Sequence, residues 1–154
     1  MERLLTSKLR DSFKSAYQVH ANRKLGNSLI DALMIAKSDV REDLIVEVKL
    51  IRKGFGASWL YEVMQATSRS VDLYEKEVDR LVRGLLIIVL EDDAVGWLRK
   101  RGAIKWIAAR ARVTPLVNVR LMALEDLYSR RALTSIVVET EPQIAGVGRL
   151  SELQ

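Results

Sequence analysis

Leu44-Ile45-Val46-Glu47-Val48-Lys49-Leu50-Ile51-Arg52 is a run of β-formers interrupted by a carboxylate and an ammonium two residues apart. Side chains alternate along a strand, so Leu44, Val46, Val48 and Leu50 point one way and Ile45, Glu47, Lys49 and Ile51 the other. The first set is wholly apolar. The second carries two charges flanked by isoleucines, in a segment hydrophobic enough for a central strand covered on both faces. Charges in such a place are costly unless they are paired, hydrated in a cleft or bound to a metal. A solvent-facing stripe would put polar residues where Ile45 and Ile51 stand. The stretch therefore predicts a sheet with a site built into it.

Working outward, Leu29 to Ala36 predicts a neighbouring strand, with Leu29, Asp31, Leu33 and Ile35 on one face. The polar connector KSDVRED, residues 37 to 43, has the length of a hairpin loop. Across an antiparallel pair, opposed residues share a face and their numbers add to a constant. A constant of 78 sets Asp31 opposite Glu47, and 80 sets it opposite Lys49. Any even value puts all three on one face; an odd value scatters them.

Upstream, Leu5, Leu9, Phe13, Ala16 and Tyr17 recur at helical spacing, predicting a first helix from residue 2 to about 20. Glu2 lies on the Leu5 and Leu9 side of it, and His20, the only histidine, falls at its end as a dipole partner or surface group. Val19 to Lys24 is a candidate short edge strand closed by Gly26-Asn27. Downstream, the loop Lys53-Gly54-Phe55-Gly56 leads to Ser58 as candidate N-cap. Leu60, Met64, Thr67, Val71, Tyr74, Val78 and Leu81 then mark a long amphipathic helix stopped at Gly84. Leu85 to Leu90, LLIIVL, is uninterrupted and β-branched, so it predicts a buried strand parallel to its neighbour and reached by that helix. Asp92 or Asp93 caps a third helix, which Gly102 divides. Arg99, Lys100, Arg101, Lys105, Arg110 and Arg112 follow with no acid between them and with Trp97 and Trp106 interleaved. Such a segment suits a phosphate backbone, although the tryptophans also suit a core. Pro115 ends it, Leu116 to Leu124 predicts another strand, and Leu133 to Glu139 is a candidate last one. Residues 1 to 140 read as one domain, and 141 to 154, rich in glycine, as a tail or linker.

The 154 residues suffice for one core without staples. The absence of cysteine excludes disulfides, zinc-thiolate clusters and thiol catalysis. No apolar run reaches the roughly 20 residues that span a bilayer, and no signal-peptide pattern opens the chain. A soluble, cytoplasmic protein without membrane contact is expected. Lys plus Arg is 25 against 20 acids, a balance compatible with a polyanionic partner. Gly54 and Gly56 do not form a P-loop, and Ser58 has no base at a recognisable spacing.

The order helix, strand, strand with Asp31, strand with Glu47 and Lys49, long helix, buried strand resembles the PD-(D/E)xK phosphodiesterase superfamily. Ile30-Asp31 stands where the family often has Pro-Asp, and Glu47-Val48-Lys49 supplies the triplet; the resemblance runs from residue 2 to about 125. It implies an α/β fold, a restriction endonuclease-like mixed sheet flanked by helices with an αβββαβ core. It implies a metal-dependent nuclease acting on DNA, with RNA as the alternative substrate, with Asp31, Glu47 and the Val48 carbonyl holding Mg²⁺ or Mn²⁺ and Lys49 serving the attacking water. Glu2 and Gln65 are its auxiliary candidates. The alternatives are a catalytically inactive domain of the same fold, acting as an assembly or nucleic-acid-binding module, and a small-molecule enzyme if Asp31 and Glu47 lie far apart. A chain this short leaves little room for a specificity domain, so a homodimer or a place in a larger protein or complex is expected.

Overall fold

β-branched residues recur through LIVEVKLIR at Ile45, Val46, Val48 and Ile51, and in the computed structural model that region is the middle of a mixed sheet. The structure describes residues 1–38, 41–100, 102–114, 116–128 and 143–145. The elements are α1 (Glu2–Phe13), β1 (Tyr17–Leu25), β2 (Ser28–Ala36), β3 (Asp43–Ile51), α2 (Ala57–Glu77), β4 (Val82–Leu90), α3 (Asp92–Lys100), α4 (Ala103–Ala111), β5 (Val117–Ala123), α5 (Leu124–Leu127) and β6 (Gln143–Ala145). Among the described residues the strands lie side by side in sequence order, β1 to β6. β1, β2 and β3 are antiparallel, whereas β3 to β6 are parallel. This is the α/β, restriction endonuclease-like mixed sheet anticipated from the sequence.

Alternation along the strands divides the core in two. Leu5 and Leu9 of α1 and Leu127 of α5 pack on Ala32, Met34, Leu44, Val46, Val48, Leu85, Ile87 and Met122. On the other face Leu60 and Met64 of α2 share a cluster with Leu86, Ile88, Leu121 and the apolar residues of α3 and α4. The crossovers from β3 to β4 and from β4 to β5 step the same way across the sheet, so their common handedness puts α2, α3 and α4 on one side. The parallel run LLIIVL is buried on both faces, as its uninterrupted hydrophobicity predicts. No helix of the described residues is long and apolar enough to cross a membrane.

Several boundaries differ from the sequence reading. α1 ends at Phe13, and Tyr17 and Val19 belong to β1, which pairs with β2 at every position but one. His20 is therefore a strand residue; pairing with a whole neighbouring strand overrides a helical spacing that ran only one further turn. Gly56, not Ser58, caps α2, with no side-chain bond. α2 stops at Val78, and Gly84 lies inside β4. A Cβ at Gly84 would meet Thr67 Cγ2 at 2.9 Å and Val117 Cγ2 at 3.1 Å, so that glycine serves close approach of helix and strand. Gln143–Ala145 pairs with β5 where a tail was expected, whereas the candidate strand from Leu133 to Glu139 lies outside the described residues.

β1 contains one further irregularity. Its pairing with β2 sums to 53 on both sides of Asn22, yet Asn22 itself is unpaired and adopts a left-handed φ of 52°. Asparagine is among the few residues that tolerate that region.

Candidate active site

β2 and β3 pair at Ala32 with Val46, Leu33 with Ile45 and Met34 with Leu44, numbers that sum to 78. The next step in that register sets Asp31 opposite Glu47. The even constant puts Asp31, Glu47 and Lys49 on one face, the α2 side, together with buried Leu33 and Ile45. Beyond Ala32 and Val46 the ladder stops. There Asp31 Oδ2 accepts the Val48 backbone N–H at 2.7 Å, taking the place of a main-chain partner. A strand residue points its N–H and C=O to the same side, so the Val48 carbonyl also faces β2.

The electrostatics follow from this arrangement. Burial, then the neighbouring Asp31 charge and a hydrogen bond with Asp31, raise the Glu47 carboxyl from 4.5 to about 8, with Lys49 opposing the rise and Glu2 adding to it. Glu47 thus keeps its proton at neutral pH while it faces Asp31. Neither Lys49 nor Glu47 is in an ion pair among the described residues. Glu2 is exposed at the start of α1, close enough to act on Glu47.

Glu47 and Lys49 open into a cleft of about 340 Å³ between the sheet and α2, lined also by Ser28, Trp59, Glu62, Arg69 and Ser70. Asp31 and Glu2 do not line it; Asp31 sits behind Glu47. Gln65 does not reach the cleft either. It lies roughly 60° around α2 from Glu62 and roughly 100° from Ala66, because successive residues turn by about 100°. Glu62, Ala66, Arg69 and Leu73 do face the cleft. Their spacing of three and four was legible in the sequence, but which flank of α2 met the charged strand was not.

The basic segment is exposed on α3 and α4 at Arg99, Lys100, Lys105 and Arg110, and Arg112 follows α4; Arg101 lies outside the described residues. Its tryptophans are not free platforms. Phe55 packs against Trp59, Trp97 and Trp106 with ring centroids 4.9, 5.0 and 5.6 Å away. Gly54 lies so close to Trp97 that a Cβ would stand 2.8 Å from its ring. This aromatic cluster ties the end of β3 to α2, α3 and α4.

A divalent cation is tested by the donors present. Among the described residues no group of three or more His, Cys, Asp or Glu side chains is placed to hold a metal. Mg²⁺, however, needs only one or two carboxylates and keeps several waters. Asp31, Glu47 and a main-chain carbonyl are hard oxygen donors, and two carboxyls forced together invite a cation between them. The residues fit.

No family model and no curated protein matches the chain. Among solved structures, a repair endonuclease from Pyrococcus abyssi is similar at 17% sequence identity and a TM-score of 0.44, over 66% of this chain and 44% of that one. The chain thus spans less than half the length of that protein.

Proposed function

We infer that the chain is a metal-dependent nuclease that hydrolyses phosphodiester bonds, with DNA as the substrate. The observation that carries this reading is the β2–β3 register of 78, which brings Asp31 to Glu47 and sets Lys49 on the same face. A half-buried carboxylate pair beside an ammonium that lacks an ion pair has no structural use that would offset its cost. It does suit a reaction in which negative charge grows on phosphoryl oxygens.

Asp31, Glu47 and the Val48 carbonyl would hold Mg²⁺ or Mn²⁺, which when bound lowers the pKa of a coordinated water and offsets charge on the phosphate. Asp31 is already fixed by the Val48 amide, so one donor is set before substrate arrives. Lys49 shares the cleft with Glu47, where its ammonium orients the attacking water and donates to a phosphoryl oxygen. α2 walls the cleft and limits bulk water, which strengthens these interactions. The exposed cations of α3 and α4 extend the binding surface along a phosphate backbone.

The test is incubation of plasmid and branched DNA with Mg²⁺ or Mn²⁺, comparing wild type with Asp31→Ala and Lys49→Ala. Cleavage that requires the metal and is lost in both variants upholds the reading. Binding without cleavage, unchanged in both, overturns it in favour of an inactive module.

A further inference from the structure

The cleft holds a second cation that the sequence motif does not include. Arg69 lines it from α2, and among the described residues it has no ion pair. Its level along the cleft follows from one hydrogen bond. Tyr74 Oη donates to Asp43 Oδ2, so the end of α2 lies beside the start of β3 and the two run antiparallel. Arg69 stands five residues back from Tyr74, roughly 7.5 Å along the helix axis. Glu47 stands four residues on from Asp43, roughly 13 Å along the strand. The Arg69 backbone is therefore displaced by roughly 6 Å along the cleft from that of Glu47, about one nucleotide step of an extended strand. By the same reckoning Glu62 stands level with Lys49, and its carboxylate repels phosphate from that end of the wall.

The shape of the cleft selects the form of the strand. From Trp59 to Leu73 its α2 wall runs about 20 Å, yet the enclosed space is only about 340 Å³. That is a thread-like groove, wide enough for one chain and too narrow for two paired ones. One end is bounded by Trp59, whose ring packs on Phe55 while the residue also lines the groove. An aromatic at the end of a groove that also carries Lys49 and Arg69 can stack an unpaired base, since every base offers a π-face. By contrast, the depression of about 410 Å³ lined by Glu91, Asp92, Asp93 and Glu125 repels any polyanion.

We propose that the groove between β3 and α2 holds a single unpaired polynucleotide strand, with Arg69 binding the phosphate one step from the bond to be cut. This rests on the hydrolase reading for the identity of that bond, but the binding itself does not. Fluorescence anisotropy in EDTA compares a labelled single-stranded oligodeoxynucleotide with the blunt duplex of the same sequence over a range of salt. The expected result is at least ~10-fold tighter binding of the single strand. Arg69→Ala weakens that binding by ~10-fold and lowers the salt slope by about one, and Arg69→Lys restores the slope. The exposed position of Arg69 leaves folding intact, checked by an unchanged Tm. Equal or tighter duplex binding overturns the proposal, as does an Arg69→Ala variant with unchanged affinity and slope. Cleavage of the same two substrates with Mg²⁺ separates the two readings. If neither is cut while the single-strand preference holds, hydrolysis falls and the groove assignment stands. If the duplex is bound and cut as well as the single strand, hydrolysis stands and the groove assignment falls.

Discussion

Asp43 and Glu47 lie on the same face of β3, four residues apart, and their surroundings are opposite. Asp43 is fully buried and surrounded by donors: the Ala36 N–H at 2.8 Å, Tyr74 Oη at 2.8 Å and Arg80 Nη2 at 3.0 Å. Arg80 also donates to the Ala36 carbonyl, so the end of β2, the start of β3 and the segment after α2 are clasped together. Burial and the Asp43 carboxylate push the Tyr74 hydroxyl up to about 12, which keeps it a donor throughout the physiological range. Glu47 faces another carboxylate. A buried acid whose lone pairs are all met by donors holds a fold together; one left facing its like stands ready for a cation brought from outside.

The comparison breaks most visibly in activity. Asp31→Ala and Lys49→Ala are each expected to cut the cleavage rate by ~10³-fold while the melting temperature stays near wild type. Asp43→Ala should do the reverse. Removing one member of a buried, hydrogen-bonded ion pair costs about 3–5 kcal/mol, read as a lowered midpoint in urea, whereas cleavage per folded molecule is retained. If Asp43→Ala kept its midpoint and lost cleavage, the division between the two acids would fail.

A pH titration sharpens the same contrast. Folding raises the Glu47 carboxyl from 4.5 to about 8, so between those values the folded protein keeps a proton that the unfolded chain has released. Stability in EDTA should therefore fall as pH rises through that window. Glu47→Gln should flatten the profile, seen in Tm measured across the range. The smallest effect is Tyr74→Phe, expected to lose about 1 kcal/mol for one hydrogen bond to a charged acceptor that keeps two other donors.

The charged strand, its hairpin partner, the parallel buried strand and the divided basic helix were all legible, because each rests on periodicity within one segment. Asp43 was not. It stood inside the polar connector KSDVRED, and its side-chain donors Tyr74 and Arg80 lie 31 and 37 residues further on, where no local pattern reaches. Arg69 and Glu62 carry no local signal for the same reason, since the flank of α2 that meets β3 is fixed by tertiary packing. Parity reduced the site to an even or odd register, and only the fold could supply 78. The tryptophans of the basic segment were open to two uses, and Phe55, a third of the chain away from Trp106, claims them for packing.

The left-handed turn of backbone at Asn22 bears on how the protein behaves in company. β1 is the outermost strand, and a straight outer strand is a template on which a second molecule can extend the sheet. Asn22 bends that rim midway, and the exposed Arg23 and Lys24 follow it immediately. Two molecules that met along β1 would bring like charges together across a mismatched rim. Joining of copies rim to rim through β1 into fibrous aggregates is thereby disfavoured.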